Sequence, residues 1–346
     1  MADAVFLTGG TGFVGANLVR LLIEKGYAVR CLARGGSNRA NLANLPIEIV
    51  EGDLLDRDAL ARGCKGARYV FHVAADYRLW VTDPAPMYRA NVDGTAAVVE
   101  AATKAGCEKI VVCSSVAAIR PPDDHAAVDE GSRYAGLDQI VSHYKKSKFL
   151  GELKALELAQ KGAPVVVVNP AAPIGPYDIK PTPTGKIVVD FLNGKIPAYI
   201  DTGMNIVHVA DVARGHLLAA LKGRVGERYI LGGENLTLKQ VLDLLAKATG
   251  LPPVRFKTPY PIALAFGAMD TARARLLGGE PIAPLDAVKM AKHYMWFSSE
   301  KAKKELGYTT RPAAEALAEA AEWFLDNGYA PRRAQLCSNT VAHGSR

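Results

Sequence analysis

Short apolar runs alternate with stretches of helical period through the first half of the chain. AVFLT (4–8), AVRCLA (28–33), IEIVEG (47–52), RYVFHV (68–73) and KIVVCS (109–114) each read as a strand. Helical stretches fall between them: 13–25, with Leu18, Leu21 and Leu22 in period and Gly26 as its stop, then 87–105 and 139–161. VVVVNP (165–170) adds a further strand, nearly all β-branched. Such runs suit strands buried on both faces. The alternation predicts an α/β fold with a Rossmann-type, doubly wound parallel sheet.

After Pro170 the pattern changes. AAPIGPYDIKPTPTG (171–185) is rich in proline and glycine and reads as a shaped loop. ERYILGG (227–233) reads as a strand, and 237–250 and 259–278 as helices. The stretch 312–329 is a clear amphipathic helix. The expected organisation is a Rossmann domain over 1–170, its sheet completed by later segments. A smaller, mainly substrate-binding α/β lobe over 171–329 and a disordered tail over 330–346 follow.

A chain of 346 residues, 49% hydrophobic and 22% charged, is ample for such a core and reads as soluble and globular. The net charge of +7 comes from scattered Lys and Arg, which argues against nucleic acid and leaves a weak attraction to anionic ligands or a membrane surface. Five cysteines (Cys31, Cys64, Cys107, Cys113 and Cys337) show no metal spacing and fit reduced thiols. His208 and His216 are the nearest pair of histidines, and no metal is expected. No apolar run reaches ~18 residues, so no transmembrane span is expected. MADAVFLTGG runs straight into a strand, so no signal peptide is expected either, and the protein is expected in the cytoplasm.

TGGTGFVG (8–15) follows a strand and opens a helix. Gly9 permits the tight turn, Gly12 lets a pyrophosphate approach the backbone, and Gly15 lets the helix pack close. Thr11, Phe13 and Val14 share the loop and complete the phosphate cradle. The second strand ends in Arg34, where a carboxylate would mark NAD; a guanidinium suits a 2′-phosphate, so NADP is expected, with NAD as the alternative. Asp53, beside Leu54 at the end of the third strand, either meets the adenine amino group or caps the next helix.

KIVVCSS ends a strand with Ser114 and Ser115, and HYKKSK (143–148) places Tyr144 and Lys148 on one helix face. A free phenol titrates near pH ~10. A nearby ammonium and an oxidised nicotinamide would lower that value, and a serine hydroxyl would hold the substrate oxygen.

TGGTGFVG, CSSV and YKKSK, with NVDGT (91–95), resemble the extended short-chain dehydrogenase/reductases, and the likeness runs to about residue 329. The resemblance implies that Ser115, Tyr144 and Lys148 are catalytic, that Lys148 also holds the cofactor ribose, and that Ala74 and Ala75 wall the nicotinamide. Asn91 and Pro170 join the cofactor set. FHVAADYRLW, NPAAPIGPYDIKPTPTGKIVVDFLNGKIPAYIDTG and ERYILGGENLTLKQ resemble the hopanoid-associated sugar epimerase group, itself akin to dihydroflavonol reductases. Nucleotide-sugar epimerases carry an arginine where this chain has Met204, Asn205 and Ile206, which speaks against an NDP-sugar. Tyr77, Leu79 and Trp80 on one loop, and Tyr177, Asp178, Lys180, Thr182 and Thr184 on another, are the candidate substrate walls. Trp80 and its neighbours could equally pack on the second lobe. The lead expectation is hydride transfer to or from a secondary alcohol or ketone of a lipid or other small molecule. Epimerisation and a non-catalytic dinucleotide-binding regulator are the alternatives. Peripheral membrane contact and a homodimer are kept open.

Overall fold

The computed structural model describes residues 2–331; Cys337 and most of the expected tail lie outside the described residues. In chain order the elements begin β1 (Ala4–Thr8), α1 (Phe13–Glu24), β2 (Ala28–Ala33), β3 (Glu48–Glu51), α2 (Arg57–Cys64), β4 (Tyr69–His72) and α3 (Ala85–Tyr88). There follow α4 (Gly94–Lys104), β5 (Lys109–Cys113), α5 (His143–Gln160), β6 (Val165–Pro170), β7 (Ala172–Ile174), α6 (Pro183–Leu192) and β8 (Ala198–Tyr199). The remainder is β9 (Gly203–His208), α7 (Val209–Lys222), β10 (Arg228–Leu231), β11 (Glu234–Thr237), α8 (Leu238–Thr249) and β12 (Phe256–Lys257), then α9 (Tyr260–Leu277), α10 (Leu285–Met290), β13 (Tyr294–Met295), α11 (Glu300–Leu306) and α12 (Ala313–Asp326).

Seven parallel strands form the main sheet in the order β10-β6-β5-β4-β1-β2-β3. The chain order reverses at β1, between β2 and β4, where an open α/β sheet leaves a crevice beyond its strand ends. The strands of β5 and β6 are buried on both faces, as their unbroken apolar composition requires. One face packs on α1 and α7 through Leu18, Leu22, Val212 and Leu217. The other packs on α2, α4 and α5 through Leu60, Val98, Val99 and Ala155.

Later segments complete the sheet body: β10 is its edge strand, α7 lies against α1, and Ala302 and Leu306 of α11 join the same core. The second core gathers α6, α8 and α12 beside a small sheet in which β9 pairs with β7, β11 and β13. The segment read as loop over 171–185 therefore holds β7 and the start of α6, whose N-cap Thr182 accepts from Gly185 N–H and precedes Pro183 in the first turn. The helix expected over 87–105 is α3 and α4 joined by a π-turn at Arg89–Asp93.

Candidate active site

Gly9 turns out of β1 with φ +81°, and a Cβ there would lie 2.5 Å from the Ala74 nitrogen. A Cβ on Gly15 would lie 2.1 Å from the Gly9 carbonyl oxygen, so α1 packs on the turn more closely than any side chain permits. Gly12 is the N-cap of α1 and meets nothing but the Gly9 oxygen, at 3.4 Å, so this side of the loop is open. No side chain caps α1 and its first turn holds no acid. Its free N–H groups and positive dipole end are thus presented outward, which fits a pyrophosphate. Phe13 is buried and Val14 packs against the first core, so what they offer the cradle is backbone. The Thr11 carbonyl is held by the Asn41 amide at 3.2 Å.

At the other end of the cradle Arg34 is exposed just after β2. Arg39, unnoticed in the sequence, donates to the Arg34 carbonyl at 3.3 Å and pairs with Glu51 at 3.2 Å. The repeat of two arginines in RGGSNR was the available signal. Asp53 does not cap α2: that carboxylate is Asp56, accepting from Ala59 N–H at 2.9 Å. Asp53 accepts locally from Leu55 N–H at 3.1 Å and stays exposed, while Leu54 packs against the first turn of α4 at Gly94.

Ser115, Tyr144 and Lys148 come together at the carboxyl end of β5. The Ser115 hydroxyl accepts from Ala117 N–H at 3.1 Å and lies beside the Tyr144 phenol. Ser114 is turned inward, 6% exposed, its hydroxyl without a partner among the described residues. Lys148 is buried and donates from Nζ to the Cys113 carbonyl at 2.8 Å. Burial pushes the phenol of Tyr144 up from its usual range, opposed by the Ser115 hydroxyl. The expectation that the Lys148 ammonium would lower it is corrected: that ammonium is turned to a carbonyl, and burial dominates. Burial also pulls Lys148 down, against the nearby Glu152 carboxylate.

The residues that hold this group still were missed in the sequence. Ser142, N-cap of α5, has φ +78°, a strained setting for a side-chain-bearing residue two positions before Tyr144. Ser147 donates to the Tyr144 carbonyl at 2.8 Å and accepts from Asn91 at 2.9 Å. Asn91 also grips the Asp76 backbone in both directions at 2.8 Å, so its amide fixes the loop after Ala74 and Ala75 and is not a free cofactor contact. Lys145 is buried, its Nζ has the Met295 sulfur as its one hydrogen-bond partner among the described residues, at 3.8 Å, and burial pulls its ammonium down to about 8. Beneath the site Glu152 pairs with Arg228 at 2.7 Å and accepts from Asn169 at 2.6 Å. Asn169, one residue before the buried Pro170, donates in turn to the Ser115 carbonyl at 3.0 Å. Glu152 stands one turn beyond Lys148, so the spacing 144, 148, 152 was its signal.

The two candidate walls face each other. The Asp76 carboxyl is pulled below its usual range: burial opposes this, but Arg78, hydrogen-bonded to it, and the charge of Lys180 outweigh that. Burial and the negative fields of Asp178 and Asp76 raise the Tyr77 phenol. Asp178 is buried, accepts from the Thr182 backbone and hydroxyl at 2.8 Å each, and is pushed by burial up to about 6. Trp80 lies under the Arg275 guanidinium of α9 at 5.6 Å, so it packs on the second lobe. Tyr177 is a correction: with φ +74° its ring swings between Arg20, 3.8 Å away, and Trp323, 6.3 Å away, and is committed to α1 and α12. Met204 packs in the second core and Asn205 is spent on Gly233, Asn235 and Phe297. His208 and Asp211 hold α7, accepting from Ala210 N–H at 3.1 Å and Arg311 N–H at 2.7 Å.

A glycine cradle at the switch point of a parallel sheet, with a serine, a tyrosine and a lysine gathered at the neighbouring strand end, defines a Rossmann-type, dinucleotide-dependent enzyme. The chain belongs to the NAD dependent epimerase/dehydratase family, whose pattern matches residues 5–232, and with it to the extended short-chain dehydrogenase/reductases. It is an NAD(P)-dependent enzyme. A Synechocystis sp. protein provisionally named a dihydroflavonol 4-reductase is 47% identical over 95% of this chain and 96% of its own. Sterol demethylase protein B of Methylococcus capsulatus is 30% identical over 93% of this chain and 98% of its own. The crystal structure of gox2253 superposes with a TM-score of 0.85 at 45% identity, covering 95% of this chain and all of that one.

Proposed function

We propose that the enzyme transfers hydride at a secondary alcohol or ketone of a lipophilic or polyol substrate, with polycyclic lipids of the hopanoid or sterol kind as the substrate class. The observation that carries this reading is the meeting of Ser115, Tyr144 and Lys148 beside the cradle. A bound nicotinamide supplies or accepts the hydride. The Ser115 hydroxyl orients the substrate oxygen, and the Tyr144 phenol gives or takes the proton there. Lys148, held by its bond to the Cys113 carbonyl, has N–H groups to spare for ribose hydroxyls. Met204 packed in the core, in place of a nucleotide-holding arginine, supports a substrate other than an NDP-sugar. The sterol in the name of the Methylococcus relative supports a lipid. The second reading, epimerisation with retained cofactor, is favoured by the family itself. The two differ in an absorbance measurement: with a polycyclic hydroxy- or keto-lipid the purified enzyme is expected to change nicotinamide absorbance mole for mole. Turnover of a UDP- or dTDP-sugar without net absorbance change would establish the epimerase instead.

NADP(H) is the proposed cofactor, on the strength of Arg34 at the end of β2 with Arg39 beside it. A charge-assisted contact to the 2′-phosphate contributes about 1.5–3 kcal/mol, roughly 10- to 100-fold in affinity. Titration of the protein with both cofactors is expected to show that preference, and Arg34→Ala to erase most of it. NAD binding as tight as NADP in the wild type would mean that Arg34 serves only solvent.

A further inference from the structure

Among the described residues fourteen large apolar side chains are exposed, and seven of them fall between Phe256 and Ile282. Ile262, Phe266, Met269 and Leu276 of α9 are 60, 51, 72 and 83% exposed. Their spacing of four, three and seven residues places them on one face. The other face is the fastened one. Gly267 packs on Val288 of α10, the Asp270 carboxylate accepts from Ala283 N–H at 2.9 Å, and the Thr271 hydroxyl accepts from Leu285 N–H at 2.9 Å. The helix therefore turns its polar anchors inward and its apolar stripe to water, the reverse of a surface helix in an ordinary globular protein.

Charge identifies what covers the stripe. Residues 255–293 carry six Lys and Arg against three Asp and Glu, close to half of the chain's net +7 in 39 residues. Arg255, Lys289 and Lys292 are exposed and have no carboxylate within 4.0 Å among the described residues. A second copy would bring two such cationic faces together, whereas a sheet of anionic headgroups complements them. The patch is also continuous with the candidate site, because Arg275 of α9 covers Trp80 on the substrate wall.

We propose that α9 and the flanking 255–293 hairpin are a docking surface for an anionic phospholipid bilayer, the helix lying in the interface with its apolar stripe at the acyl boundary. No helix among the described residues is long and apolar enough to cross a membrane, so the attachment is peripheral. The proposal stands on this surface alone and not on the hydride-transfer reading. The test is sedimentation of the full chain with vesicles of phosphatidylcholine alone and of phosphatidylcholine with phosphatidylglycerol. The wild type is expected to pellet with the anionic vesicles and to be released by salt. Phe266→Asp with Leu276→Asp is expected to cut the partition about ten-fold per side chain removed. Its cofactor affinity and thermal midpoint should be unchanged, since both side chains face water. A charge variant, Arg255→Glu with Lys289→Glu and Lys292→Glu, is expected to lose anionic selectivity. A wild type left in the supernatant, or variants that pellet as it does, would overturn the proposal. So would light scattering that shows a dimer broken to monomer by Phe266→Asp, which would give the face to a second copy.

Discussion

Tyr144→Phe is expected to bind the cofactor as the wild type does and to retain only about 10⁻²–10⁻⁴ of its turnover, the usual scale of general acid–base catalysis. The substitution removes one oxygen and keeps the ring, so the packing of α5 on the sheet is unaltered. What disappears is the hydroxyl beside Ser115. That hydroxyl is well suited to giving a proton in the direction of reduction, because burial already holds it in the neutral form. The phenol is recovered as a base only if positive charge arrives beside it. Lys148 alone does not provide this, since its ammonium is turned to the Cys113 carbonyl. Cofactor titration and steady-state kinetics on one preparation separate the two effects. A variant that keeps more than about a tenth of the wild-type rate would remove Tyr144 from the chemistry.

The features legible in the sequence are those set by local spacing. Gly9, Gly12 and Gly15 lie in one strand-to-helix turn; Gly9 and Gly15 each have a steric reason that a neighbouring residue supplies, and Gly12 leaves the loop open to a ligand. Tyr144 and Lys148 are four apart on a helix, so their juxtaposition needs no knowledge of the rest of the fold. The seven-stranded sheet was readable for the same reason, from runs of Val and Ile with helices between. Elements decided by distant partners were not. β7 is three residues long and β9 is mixed in character, and they are strands because β9 pairs with β7, β11 and β13. Tyr177 reads as an apolar wall until its positive φ is known, and then its ring belongs to Arg20. Asn91 reads as a cofactor contact until the folded loop brings the Asp76 backbone to its amide. Asp53 reads as a cap in EGDLLD, and only the backbone shows that Asp56 is the one that faces the first turn of α2.

The least legible feature carries the second large effect. Glu152 and Arg228 are 76 residues apart and meet only because β10 adds to the sheet beside β6. Their side chains are 3% and 10% exposed. Glu152→Ala is expected to destabilise the protein by about 3–5 kcal/mol, because it strands a guanidinium in a site that water does not reach. Glu152→Gln should recover only part of this. Both carboxylate oxygens accept, one from Arg228 and one from Asn169, and an amide would set its own NH₂ against one of those donors. Rotating Asn169 does not help, since its NH₂ also serves the Ser115 carbonyl. Paired replacement by methionines should cost less than Glu152→Ala, although Arg228 also donates to the Glu130 carbonyl, which would be left bare. Urea unfolding of the four proteins measures the ranking. A Glu152→Ala variant within about 0.5 kcal/mol of wild type would show that the guanidinium finds water, and that the pair is not what anchors α5 beneath the catalytic group.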